Sequence, residues 1–204
     1  MRKVIFACLC FVSLGFSQEK NSSVILKLGA NTSFYTGKIS EWKGGLSYNL
    51  GVAYDVQISE KVSFVPGIEY VRLNAERKNP EVWNGISVDD KLTSSLISLP
   101  LSFQYSLTEK VDFILGPQVN YWAYASRKRD GNRTTEKPLK RINSFDYGLT
   151  GGVAYNFYKK YGVELKYYYG FSDLDEYPGS FSTSGSHSDI GKNSVLSLLF
   201  SYKL

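Results

Sequence analysis

Eight stretches of this 204-residue chain alternate apolar residues with small or polar ones at a period of two. Between positions 46 and 56, Leu46, Tyr48, Leu50, Val52, Tyr54 and Val56 are apolar, and Ser47, Asn49, Gly51, Ala53 and Asp55 lie between them. A β-strand sends successive side chains to opposite faces, so this pattern predicts strands with one greasy face and one polar face. The same parity runs from Val24 to Phe34, Val62 to Tyr70, Ile97 to Tyr105, Val111 to Tyr121, Phe145 to Phe157, Val163 to Phe171 and Leu196 to Leu204. Helical spacing is nowhere sustained. The stretches span 9–13 residues, against about 5–6 for an ordinary globular strand, and are long enough to cross a bilayer when tilted.

The connections have a rhythm of their own. Short turns are expected at Ser59-Glu60-Lys61, Thr108-Glu109-Lys110 and Tyr158-Lys159-Lys160. Longer connections fall near residues 36–43, 75–91, 126–142 and 173–191, so long and short alternate strictly. A membrane barrel has short periplasmic turns and long extracellular loops, whereas a soluble sandwich gives no reason for such alternation. Eight strands is also an even number, as a closed antiparallel barrel with both ends on one side requires.

Composition separates the membrane barrel from a soluble calyx. The mean hydropathy is −0.22, which is what two opposed faces give when averaged. No apolar run approaches the ~18 residues of a spanning helix. The polar face is rich in Gly, Ser, Ala and Asn, whereas a soluble exterior favours long charged side chains. Small residues suit the lumen of an eight-stranded barrel, which side chains fill. Tyr54, Phe64, Tyr105, Phe113, Tyr155, Phe157 and Tyr202 are expected at the periplasmic rim. Phe34, Tyr70, Tyr121, Phe145, Tyr147, Tyr169 and Phe171 are expected at the outer rim, completing two aromatic girdles. The expected fold is all-β, an eight-stranded antiparallel up-and-down transmembrane β-barrel. Arg72 breaks the pattern by facing lipid if alternation continues. It reads either as a residue at the outer rim or as the sign of a bulge.

Residues 1–17 read as a secretory signal peptide. Arg2 and Lys3 precede an apolar stretch from Val4 to Phe16, and Gly15 and Ser17 are small residues at the −3 and −1 positions of a cleavage site. The barrel domain is then residues 18–204. Cys8 and Cys10 leave with the leader, so the remaining 187 residues carry no cysteine, and a net charge of +3 from 22 basic and 19 acidic residues. Disulfides, thiolate nucleophiles and cysteine metal sites are excluded from the mature chain. The weak charge gives no argument for nucleic acid.

The run SLISLPLSFQY at 95–105 resembles the strand signature of the PorT-like outer-membrane β-barrel family. SFVPGIEY at 63–70, FILGPQVNY at 113–121 and FDYGLTGGVAYNF at 145–157 are similar to its other strands, and the resemblance covers residues 23–204. It implies a bacterial outer-membrane location and insertion by the barrel insertion machinery. It also permits a role as accessory component of an envelope secretion or assembly machine.

Lys27, Asp55, Glu69, Asp112, Asp146, Glu164, Lys166 and Lys203 fall on the polar face. Charges in a narrow lumen are costly unless paired, so they predict a salt-bridged plug, with Glu69 and Lys166 as the expected partners. The connection near 126–142 carries Arg127, Lys128, Arg129, Arg133, Lys137, Lys140 and Arg141, with a local charge of +5. It is a candidate contact for lipopolysaccharide phosphates or another polyanion. The connection near 173–191 is acidic, with Asp173, Asp175, Glu176 and Asp189. His187, the sole histidine, stands beside Ser186, Ser188 and Asp189. A lipid-modifying enzyme would need such groups on separated rigid elements rather than in one short run. One histidine and no cysteine leave no metal site, and no cofactor is expected. The sequence therefore points to a non-catalytic barrel with a structural or surface-interaction role. Its expected partners are outer-membrane lipid, lipopolysaccharide and an envelope protein.

Overall fold

Each alternating stretch forms a long strand in the computed structural model, which describes residues 22–36, 42–77, 81–83, 86–88, 90–129, 132–136, 145–172 and 192–204. The strands are β1 (Ser22–Tyr35), β2 (Trp42–Gly45), β3 (Ser47–Gln57), β4 (Val62–Arg77), β5 (Glu81–Trp83), β6 (Ile86–Val88), β7 (Asp90–Ser106), β8 (Val111–Arg129), β9 (Asn132–Glu136), β10 (Phe145–Tyr158), β11 (Tyr161–Gly170) and β12 (Asn193–Lys203). No helix occurs among the described residues. Eight long strands pair antiparallel in the order β1, β3, β4, β7, β8, β10, β11, β12, and β12 closes the ring on β1. Closure removes every sheet edge, the only way a sheet can satisfy its backbone in lipid. The leader, residues 1–17, lies outside the described residues.

The stagger of the barrel follows from its register. One row of paired residues starts at Tyr155 on β10. It passes through Val163, Phe200, Leu28, Leu50, Tyr70, Ile97 and Tyr121, and returns to β10 at Phe145, ten residues away. With about 3.3 Å per residue and about 4.8 Å between strands, that shear tilts the strands by about 40°. The row climbs about 25 Å along the axis, or about 3 Å per strand, which is the height of a membrane barrel's apolar band. Every residue in it is aliphatic or aromatic and none is buried, so the outer surface carries an unbroken apolar spiral.

The same arithmetic sorts the aromatics by height. Taking Tyr155 as zero, Tyr54, Phe64, Tyr105, Phe113 and Tyr202 lie within about 3 Å of it, whereas Phe34, Tyr121, Phe145, Tyr147, Tyr169 and Phe171 lie about 18–25 Å above. The rims are tied by ring contacts, Phe64 on Phe103 below and Tyr121 on Phe145 above. The lower end carries both ends of the described barrel and the three short turns. Ser59 Oγ accepts from the Val62 N–H, and Thr108 Oγ1 accepts from the N–H groups of Lys110 and Val111, which explains the Ser and Thr that open those turns.

Close strand approach explains two of the inward glycines. A Cβ on Gly29 would strike the Leu198 carbonyl, and one on Gly116 the Leu101 carbonyl. Both clashes are with backbone, so no side-chain movement relieves them.

The structure corrects the sequence reading beyond the membrane. The connection near 75–91 is largely strand, because β4 runs to Arg77, β7 starts at Asp90, and β5 and β6 form a hairpin between them. β2 lies in the connection near 36–43 and continues the line of β3 past Leu46, pairing β1 and β4. The strands thus stand well above the outer girdle. Arg72 is not at a bulge of its own strand. β4 and β7 stay in register from Glu69–Ser98 to Glu76–Lys91, and the irregularity lies in β8, where Ser95 pairs with Tyr124 and Leu96 with Trp122.

Candidate functional site

The lumen is the site that the alternation builds. Inward positions hold most of the chain's buried polar side chains, and three ion pairs span the interior between strands far apart in sequence. Lys203 Nζ lies 2.7 Å from Asp55 Oδ2 at the end that carries the short turns. Lys27 Nζ lies 2.8 Å from Glu164 Oε2. Lys166 Nζ lies 2.6 Å from Glu69 Oε1. From register and rise, the pairs sit about 0, 6 and 12 Å above the lower girdle. The upper two are coupled, since Glu69 also feels Lys27 and Lys166 also feels Glu164. Four charges of alternating sign thus neutralise one another in a nearly dry space, the condition under which buried charge is tolerated.

The two remaining inward carboxylates are held differently. Asp112 accepts from Ser106 Oγ at 2.6 Å and from Asn156 Nδ2 at 2.7 Å. Asp146 is fully buried near the outer rim and accepts from Asn120 Nδ2 at 3.3 Å. Neither has a cation in ion-pair reach among the described residues. The expected plug of salt bridges is therefore only part of the lumen.

The outer half is closed by something the sequence reading missed. Val71, Leu73, Leu96, Trp122, Tyr168 and Val195 point inward from five strands and pack as one apolar cluster. They lie about 16–24 Å above the lower girdle and form a septum above the ion pairs. Tyr35, Ala75 and Leu92 pack above them. The signal was present: Val71 and Leu73 continue the parity of Glu69, Leu96 that of Ser98 and Trp122 that of Asn120, so apolar residues take over the polar face where the septum begins.

The cavities follow this layering. Below, a vestibule of about 460 Å³, lined by Asp55, Asp112, Glu164 and Lys203, opens among the short turns. In the middle, a cavity of about 20 Å³ between Glu69, Gln118, Asn120, Lys166 and Tyr168 has room for about one water molecule. The larger of these two cavities opens at the end that carries the short turns.

The basic segment is only partly a loop. Arg127, Lys128 and Arg129 end β8 and Arg133 lies in β9, and the two strands form a hairpin that pairs Lys128 with Arg133. On the other side of β8, Lys128 pairs with Lys91 of β7, so three basic residues occupy one row of three adjacent strands. Lys137, Lys140 and Arg141 lie outside the described residues, as do His187 with its neighbours Ser186, Ser188 and Asp189, and the acidic segment Asp173, Asp175 and Glu176. No group of three His, Cys, Asp or Glu residues able to hold a metal occurs among the described residues.

A closed ring of tilted strands, greasy outside and ion-paired inside, is a transmembrane β-barrel. This chain belongs to the outer membrane protein beta-barrel domain family, whose model matches residues 14–176, and it is an outer-membrane protein. Among solved structures, Neisserial surface protein A shares 16% identity at a TM-score of 0.53, over 91% of this chain and 100% of that one. The attachment invasion locus protein Ail of Yersinia pestis shares 12% at 0.48, over 91% and 100%. OprG of Pseudomonas aeruginosa shares 14% at 0.45, over 91% and 97%. At these identities the likeness concerns the fold alone. No curated protein matches the sequence.

Proposed function

We propose that this protein is a non-catalytic outer-membrane barrel, with a filled lumen that acts as a structural plug and outer hairpins that carry the interaction role. The observation that carries this reading is the layered lumen, in which three cross-barrel ion pairs lie below an apolar septum. The purified protein is expected to show no steady conductance in planar bilayers. Replacing Leu73 and Leu96 by Ser and Trp122 by Ala is expected to create one. Steady conductance of the unaltered protein would overturn the plug. The intact mass of the same preparation bears on the leader, since a chain starting at Gln18 fits cleavage after Ser17.

The row of Lys91, Lys128 and Arg133 supports a polyanion contact at the outer end, with lipopolysaccharide phosphates as the nearest source. Substituting Gln at Arg127, Lys128, Arg129, Arg133, Lys137, Lys140 and Arg141 together is expected to weaken binding of a soluble sulfated polysaccharide by about tenfold or more, with the loss shrinking at high salt. Unchanged binding sinks this part of the proposal. Within the family, the run at 95–105 favours the PorT-like branch. Leu99 and Leu101 face lipid while Ser98, Pro100 and Ser102 are buried in the lumen. That branch would admit an envelope-machine partner, for which co-purification in mild detergent is the test.

A further inference from the structure

The outward face of β4 and β7 changes character with height in an unusual order. Leu28 on β1, Leu50 and Val52 on β3, Ile68 and Tyr70 on β4 and Ile97 on β7 wall an apolar groove of about 550 Å³ that runs down to Phe200 and Tyr202 on β12. Next above Tyr70 on the same face of β4 comes Arg72. Its chain neighbours Val71 and Leu73 are buried in the lumen, so its side chain is directed to the membrane side. From register and rise it stands about 21 Å above the lower girdle, level with the outer aromatics. Arg72 is half-buried and makes no hydrogen bond or ion pair among the described residues.

Above Arg72 the same face turns polar. Ser95 pairs with Arg72 across the strands, and its hydroxyl is 2.8 Å from the Tyr70 hydroxyl. Asn74 and Thr93 form the next outward pair, joined by a bond from Thr93 Oγ1 to Asn74 Oδ1 of 3.1 Å. Glu76 and Lys91, ion-paired at 2.9 Å and exposed, stand above them, with Lys43 alongside.

We propose that this face is a binding site for a phosphorylated acyl lipid of the outer leaflet. An acyl chain lies in the groove, the phosphate meets Arg72, and the polar headgroup rests on the Asn74 and Thr93 strip. A guanidinium at the girdle with no partner among the described residues is poised to meet an anion, because a basic side chain at this depth extends to headgroup level. The only anions that reach this level from outside are headgroup phosphates or carboxylates, and Arg binds phosphate through two parallel donors. A second copy of this chain is disfavoured as the occupant, since a two-fold contact centred here would bring two unpaired guanidinium groups together. The inference is independent of the basic hairpin, which lies higher on the barrel.

The test is retention of lipid by the whole barrel, reconstituted with bis-phosphorylated lipid A or its dephosphorylated form and examined by native mass spectrometry. The unaltered protein is expected to retain the phosphorylated form and not the dephosphorylated one. Arg72→Met is expected to lower retention about tenfold and Arg72→Lys to lower it less, while Lys192→Met, three strands away at the outer end, leaves it unchanged. Heat-shifted gel migration reports that each variant is folded. Equal retention by Arg72→Met, or equal retention of the dephosphorylated form, overturns the site. A dimer mass abolished by Arg72→Met assigns the face to a second copy and overturns it too. The seven-residue hairpin variant is run in parallel, so that loss of polysaccharide binding and loss of lipid retention are read separately.

Discussion

Replacing Lys166 by Met is expected to destabilise the folded barrel by about 3–5 kcal/mol, while replacing both Lys166 and Glu69, by Met and Leu, restores most of that loss. The single change leaves the Glu69 carboxylate buried in the lumen, its partner at 2.6 Å gone. Glu69 borders a small central cavity with room for about one water molecule, so solvent replaces the partner poorly. The double change removes both charges and leaves an apolar pair of similar volume, which a protein interior accepts at little or no cost. Because Lys27 also acts on Glu69, a small residual attraction persists in the single variant, and the measured loss should fall toward the lower end of the range. The exposed pair Glu76–Lys91 is the internal standard: Lys91→Met is expected to cost less than about 1 kcal/mol. Urea unfolding in phospholipid vesicles, followed by tryptophan fluorescence and by the heat-shifted band, measures all four proteins. If Lys166→Met costs no more than Lys91→Met, the lumen is wet and the plug reading fails.

The contrast between the two pairs shows which parts of this molecule its sequence encodes locally. Period two was legible because each strand from Leu46 to Val56, or from Phe145 to Phe157, meets a uniform apolar phase on one side and a crowded interior on the other. Such a boundary writes itself residue by residue. The partnership of Lys27 with Glu164, 137 residues apart, depends instead on the ten-residue stagger of the closed ring, and no local pattern carries that number. The septum was hidden for a related reason. Leu73, Leu96 and Trp122 share the inward parity of Glu69, Ser98 and Asn120, and only the closed ring shows that they meet at one height. The β8–β9 hairpin was read as loop because SRKR and NRTTE carry no apolar alternation. Above the membrane neither face meets lipid, so the backbone pairing of β8 with β9 leaves no apolar alternation in the sequence.

A charge placed on the outer face should therefore cost according to its depth, and Leu50 marks the deepest point. In the apolar spiral it is the middle of nine positions, about 12 Å above the lower girdle and about 12 Å below the upper end of the row. Leu50→Arg is expected to destabilise the barrel by about 2–4 kcal/mol, the cost of a basic side chain at the bilayer midplane. Leu46, on the same strand line but about 10 Å higher, is 81% exposed at the level of the outer girdle. There an Arg can extend to headgroups, and Leu46→Arg is expected to cost about 0–1 kcal/mol. The substitution is identical at both sites, Leu50 within β3 and Leu46 at the junction of β2 and β3, so strand propensity, a term of about 1 kcal/mol at most, cannot produce this difference. Nor can lumen packing, because neither side chain enters the lumen. Vesicle unfolding of the two variants thus measures the position of the hydrocarbon layer on the barrel directly. Equal costs at the two positions would mean that the apolar spiral does not face lipid, and the assignment of inside and outside would have to be reversed.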